Sequence, residues 1–79
     1  MSAEIIAESE TSAVEIVVNG KPVSISAGAT VHDFLAGKRM TDAMAIVERN
    51  GEIVPRGEYG DTPLQTGDRL EVVHAVGGG

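Results

Sequence analysis

Few side chains in this 79-residue sequence have the types and spacing that chemistry requires. There is no cysteine, which removes the thiol nucleophile, the disulfide staple and the thiolate metal site together. The two histidines, His32 and His74, are too few for a zinc site even with carboxylate help. His32 sits beside Asp33 in what reads as a first helical turn, and His74 sits on a strand, so both are read as ordinary exposed or half-buried side chains. The Gly57-Glu58-Tyr59-Gly60 run lacks the lysine of a phosphate-cradling loop and reads as a turn. Tyr59, the single tyrosine, is expected to close a corner of the core. No internal residue is expected to be catalytic, and no metal or bound cofactor is expected.

The last residues differ in kind. Ala75-Val76 runs into Gly77-Gly78-Gly79, where the sequence stops. Glycine has no side chain to pack and loses the most entropy on ordering, so three of them cannot stabilise a fold. Fully extended, three residues reach roughly 10 Å and can thread a channel too narrow for any Cβ. The candidate working group is therefore the terminal carboxylate of Gly79, delivered by Gly77 and Gly78 to an active site elsewhere. Composition alone leaves a merely flexible end open.

Something must present that tail, and the rest of the pattern describes what. From Val14 the chain alternates, with Val14, Ile16 and Val18 on one face and Glu15, Val17 and Asn19 on the other. Asn19-Gly20 suits a type I′ turn, and Val23 and Ile25 carry the return strand, so residues 14–26 read as a β-hairpin. Thr30 is a good N-cap, with Asp33 at the third helical position and Val31, Phe34 and Leu35 on one face. Gly37 is placed to end this short helix, which must be held by packing on a sheet. Met44–Arg49 reads as a third strand whose inward face the pattern leaves open between Ala45 with Val47 and Met44 with Ile46. Asn50-Gly51 gives a second turn, Glu52–Val54 a short strand stopped by Pro55, and residues 56–63 an irregular stretch or one helical turn. Gly67-Asp68 marks a last turn before the strand Arg69–Val76, with Leu70 and Val72 inward and Glu71 and Val73 outward. This order predicts an α+β domain of the β-grasp, ubiquitin-like kind: a mixed sheet with one main helix on one face and its end strands side by side in parallel. Residues 1–13 are expected to be a flexible extension, 14–76 the domain and 77–79 a flexible tail. Val73, Ala75 and Val76 form a candidate partner-binding strip ahead of the glycines.

The charge is 12 acidic against 6 basic residues, a net of −6. Phosphate binding needs Lys and Arg clusters that are absent, so nucleic acid is excluded as a partner. No apolar run approaches the roughly 20 residues needed to span a membrane, and the acidic N-terminal residues do not suit a signal peptide. A soluble, cytoplasmic protein is expected, one whose acidity could steer it toward a basic partner.

The element order, the Asn-Gly-Glu-Ile-Val-Pro-Arg run at 50–56 followed by Tyr59, the Gly67-Asp68 turn and the Gly-Gly end resemble the ThiS family, the sulfur carriers of thiamine biosynthesis. The similarity covers about residues 14–79. A terminal Gly-Gly is shared with the molybdopterin carriers of the MoaD type and with ubiquitin-like modifiers, so the 50–56 run is what favours the thiamine branch. A third glycine, Gly77, precedes the usual pair and lengthens the reach. The resemblance implies a carrier and no enzyme. An E1-like adenylating enzyme of the ThiF type would use ATP and Mg²⁺ to adenylate Gly79. A cysteine-derived sulfur donor system would convert it to a thiocarboxylate, and a thiazole synthase of the ThiG type would accept the sulfur. The alternatives are a carrier serving molybdopterin or another acceptor, and a ubiquitin-like interaction module whose terminus is never activated.

Overall fold

In the computed structural model, which describes residues 13–74, Asn19 and Gly20 have φ of 51° and 86°. Both central residues at positive φ make a type I′ turn, whose twist matches that of the flanking strands. Around it β1 (Ala13–Val18) and β2 (Lys21–Ser26) pair antiparallel, with Ile16 opposite Val23 and Val14 opposite Ile25. The period-2 pattern places Ile16, fully buried, on the inner face, while Glu15 and Ser24 stay exposed.

Helix α1 (Val31–Gly37) opens with a reciprocal cap. The Asp33 N–H donates to Thr30 Oγ1 at 3.1 Å, and the Thr30 N–H donates to Asp33 Oδ2 at 3.0 Å. These bonds, backbone first, hold the Asp33 carboxyl below the usual carboxylate range. The helix ends at Gly37, as the sequence suggested, but the left-handed residue of its ending lies farther on. Gly37 stays in its last turn, and Arg39 takes the left-handed conformation at φ 62°. The Arg39 N–H then reaches the Ala36 carbonyl and the Met40 N–H the Leu35 carbonyl, each at 2.9 Å. This is a Schellman ending, and it carries the chain back so that Met40 packs on the core.

A 3-10 helix (Asp42–Met44) leads into β3 (Ala45–Arg49), so Met44 lies outside the strand expected to contain it. Asn50 and Gly51, at φ 53° and 89°, form a second turn of the same type before β4 (Glu52–Ile53). A second 3-10 helix occupies Arg56–Asp61, and β5 (Arg69–His74) follows the Gly67-Asp68 turn. The five strands make one mixed sheet in the order β2-β1-β5-β3-β4. β5 lies between β1, parallel to it, and β3, antiparallel to it. With the helix across one face, this is the β-grasp architecture.

The core forms where α1 meets the sheet. Val31, Phe34 and Leu35 pack against Ile16, Val47 and Leu70, with Tyr59 and Leu64 closing the open side. The undecided face of β3 is settled: Ala45 and Val47 are buried and Ile46 points out. Tyr59, 2% exposed, donates its hydroxyl to the Ala45 carbonyl at 2.9 Å, so the buried phenol is satisfied and closes the corner as expected.

Candidate functional site

The residues that could present a C-terminal carboxylate are those that fix β5, because the chain continues from His74 straight into Ala75. Its first residues are held by Asp68, the one charged side chain among the described residues that is buried. The Asp68 carboxylate accepts from Arg49 Nε at 2.9 Å, Asn50 Nδ2 at 3.1 Å and the Gln65 N–H at 2.9 Å. Burial pushes its carboxyl up. The Gln65 N–H, the Arg49 guanidinium and the Asn50 amide together outweigh that push and leave its pKa below the ordinary value. Asn50 adds a second tie, its Oδ1 accepting the Arg69 N–H at 2.9 Å. One turn, one strand and the start of β5 are thereby locked to each other.

Farther along β5, a different device operates. The parallel rungs between β1 and β5 run from the Gly67 N–H on the Glu15 carbonyl through the Val17 N–H on Asp68 O to the Asn19 N–H on Leu70 O, each 2.9 Å. At that point β1 turns away. The Asn19 side chain then takes over from the backbone: Oδ1 accepts the Val72 N–H at 2.8 Å and Nδ2 donates to the Val72 carbonyl at 3.2 Å. An amide has the same donor and acceptor as a peptide group, so Asn19 prolongs the ladder by one rung. Beyond Val72, β5 is held by β3 alone, with Val73 opposite Ile46 and His74 opposite Ala45.

Of the residues expected to meet a partner, Val73 is 58% exposed on the outer face, and its neighbour Ile46 is 43% exposed. Ile53, opposite Glu48 on the same face, is 59% exposed. The outward strip is therefore wider than β5, and Ile46 and Ile53 are members that reading β5 by itself missed. Ala75, Val76, Gly77, Gly78 and Gly79 lie outside the described residues, as do residues 1–12 of the expected 1–13 extension, whose last residue, Ala13, begins β1. On the inner side, Val18, Val23, Phe34, Met40 and Val72 floor a furrow between the sheet and the end of α1, with Lys21, Lys38 and His74 at its margin.

The two histidines behave as expected. His32 is exposed and pairs through Nδ1 with Asp42 Oδ1 at 2.9 Å, and that hydrogen bond and the Asp42 charge raise its pKa above the ordinary 6.5. His74 is exposed at the end of β5. Among the described residues no cluster of His, Asp and Glu could hold a metal, and no helix is long and apolar enough to cross a membrane.

Known proteins resemble this chain along most of its length. The ThiS family model matches residues 6–79. The sulfur carrier protein ThiS of Bacillus subtilis is 40% identical over 63 residues, covering 78% of this chain and 96% of that protein. A thiazole synthase of Magnetococcus marinus is 42% identical over 66 residues, which are 84% of this chain and 20% of that longer polypeptide. The crystal structure of a thiamine biosynthesis protein (ThiS) from Geobacter metallireducens superposes with a TM-score of 0.69 at 30% identity, over 84% of this chain and all of that one.

Proposed function

The chain belongs to the ThiS family, and from that premise we propose that it carries sulfur on the carboxylate of Gly79 for thiazole formation in thiamine biosynthesis. ThiS-family carriers are adaptors rather than enzymes, so this chain supplies an atom and a surface. The span 14–76 is the carrier body and 77–79 the delivered segment.

A carboxylate is a poor electrophile, and an E1-like adenylating enzyme remedies that. A carboxylate oxygen of Gly79 bonds to the α-phosphorus of Mg²⁺-bound ATP, and pyrophosphate leaves. Sulfide released by the cysteine-derived donor system then attacks the carbonyl carbon and loses its proton to solvent, and AMP departs with the oxygen, leaving a terminal thiocarboxylate. Thiazole synthase takes the sulfur. The chain's part is to hold Gly77 and Gly78 free of Cβ atoms where the channel is narrow, and to offer Val73, Ala75 and Val76 to the enzyme that receives the tail.

The observation that carries this reading is the family match through Gly79 on a domain whose β5 is locked at its start and open at its end. The thiazole synthase that contains a stretch similar to this chain favours thiazole formation over molybdopterin as the destination. Intact-mass analysis tests it. Incubated with a ThiF-type adenylating enzyme, ATP, Mg²⁺ and a sulfur donor, the chain should gain the mass difference of one sulfur for one oxygen. The loaded chain should then pass that sulfur to thiazole synthase and leave the large subunit of molybdopterin synthase unsupplied. A chain that stays a free carboxylate throughout refutes the reading.

A further inference from the structure

The outer strip is one of two apolar surfaces beside the point where the tail begins. The other is the furrow on the helix side of the sheet, and its chemistry is unlike the rest of the molecule. Although the chain carries a net charge of −6, no carboxylate lines this furrow. Lys21 stands at its margin just after the hairpin turn, and Lys38 at the other, just after α1. The Lys38 ammonium lies 5.9 Å from the centroid of the Phe34 ring, held above the apolar floor by the attraction of a cation for the ring face. Val72 and His74 bring β5 to the furrow's edge, so the chain that continues into the tail starts there.

From this geometry we infer that the furrow docks the enzyme that activates Gly79, which fills it with an apolar side chain flanked by carboxylates. The inference rests on the reading that Gly79 is activated. It adds that the activating enzyme grips the helix side of the sheet, and it states the chemistry of the grip. Two facts select this occupant. An enzyme that draws in Gly79, five residues past His74 and so at most roughly 17 Å from it, must come close to the furrow that His74 borders. Two lysines over an apolar floor complement an acidic, apolar patch and repel a basic one. Charged groups of this kind act mainly on encounter and affinity and leave the chemical step untouched once the complex has formed.

Charge reversal tests it. The doubly substituted chain K21E/K38E should raise the KM of the adenylating enzyme for the carrier about tenfold with kcat at saturation unchanged. Calorimetric titration of the same pair without ATP should show the same loss of affinity. The neutral K21Q/K38Q chain should show a smaller loss in both assays, and the wild-type affinity should fall with added salt while that of K21E/K38E stays flat or rises. Thermal unfolding of both variants serves as the fold control. Unchanged KM and unchanged calorimetric affinity would overturn the inference. So would a furrow filled by residues 75–79 of the chain itself, seen as shifted glycine amide resonances in free K21E/K38E with partner affinity intact, or one filled by a second copy, seen as a dimer that K21E/K38E dissolves. Failure of the wild-type chain to acquire sulfur would instead strike the proposed function, and the calorimetric arm reads the furrow without depending on it.

Discussion

At its start β5 is tied down by a buried carboxylate with donors from β3, the following turn and the Gln65 backbone; at its end it is held by β3 and a single side-chain amide. The same strand thus carries both the most constrained polar group among the described residues and one of the most exposed large apolar side chains, Asp68 and Val73. Buried charge is tolerated only when its hydrogen bonds are complete, and Asp68 meets that condition. Exposed Val73 and Ile46 contribute little to the fold, which leaves them free to serve a partner. Rigidity at one end of the strand gives the proposed delivery of Gly79 a defined starting place.

That contrast can be broken most severely at Asp68. Replacing it with Ala should destabilise the domain by about 2–4 kcal/mol in urea unfolding, because three donors lose a buried acceptor. A single core of this size supplies roughly 3–5 kcal/mol net, so a large fraction of the variant should be unfolded already in water. Val73→Ala at the other end should change stability by less than about 0.5 kcal/mol. Comparable losses at both sites would erase the distinction.

The pH dependence sharpens it. The Asp68 carboxyl is depressed in the folded state, so its contribution is present above the ordinary carboxylate pKa of about 3.9 and is lost as pH falls through the lower folded value. Acid unfolding followed by circular dichroism should therefore be shallower in D68N than in the wild type over that acidic window. Identical acid profiles would mean that the carboxylate is not held as described.

Asn19 comes next. Asn19→Gly keeps the positive φ but removes the amide rung on Val72, and should cost about 1 kcal/mol. Faster amide hydrogen exchange at Val72, with exchange at Leu70 unchanged, would locate the loss at the open end of β5. The smallest effect is expected at Arg39, whose φ of 62° is one that glycine adopts without strain. Arg39→Gly should stabilise the domain by about 0.5–1 kcal/mol, and a destabilisation would show that the Arg39 side chain has a structural role.

Much of this architecture was legible in local sequence. Asn-Gly pairs can take two consecutive positive φ values, so both tight turns were readable; the Thr30 and Asp33 cap and the inward Leu70 and Val72 follow from spacing alone. What was not legible depends on residues distant in the chain. Asp68 looks like half of a Gly-Asp turn, yet its partners Arg49 and Asn50 lie 19 and 18 residues away. Asn19 bonds a strand 53 residues later, and nothing beside it in sequence signals that reach. The face of β3 was ambiguous because Met44 to Val47 are all apolar, and the choice is made by α1 and Tyr59 packing from the inner side. Gly37 is the last helical residue, as its spacing suggested, but the left-handed position falls two residues later on Arg39, which no local signal marks. For Gly79 itself the sequence offered an unpackable end, and the chemistry proposed there rests on the family.

The central claim, that the chain works through the carboxylate of Gly79, is tested most directly on one pair of proteins, the full chain and the chain lacking both Gly78 and Gly79, which no longer ends in a Gly-Gly pair. Both should unfold cooperatively at the same urea concentration, since glycines without side chains add nothing to the core. With adenylating enzyme, ATP, Mg²⁺ and a sulfur donor, the full chain should exchange one oxygen for sulfur, and the shortened chain should remain unchanged in mass. Equal sulfur loading of the two would contradict the account, and so would a shortened chain that fails to load because it no longer folds.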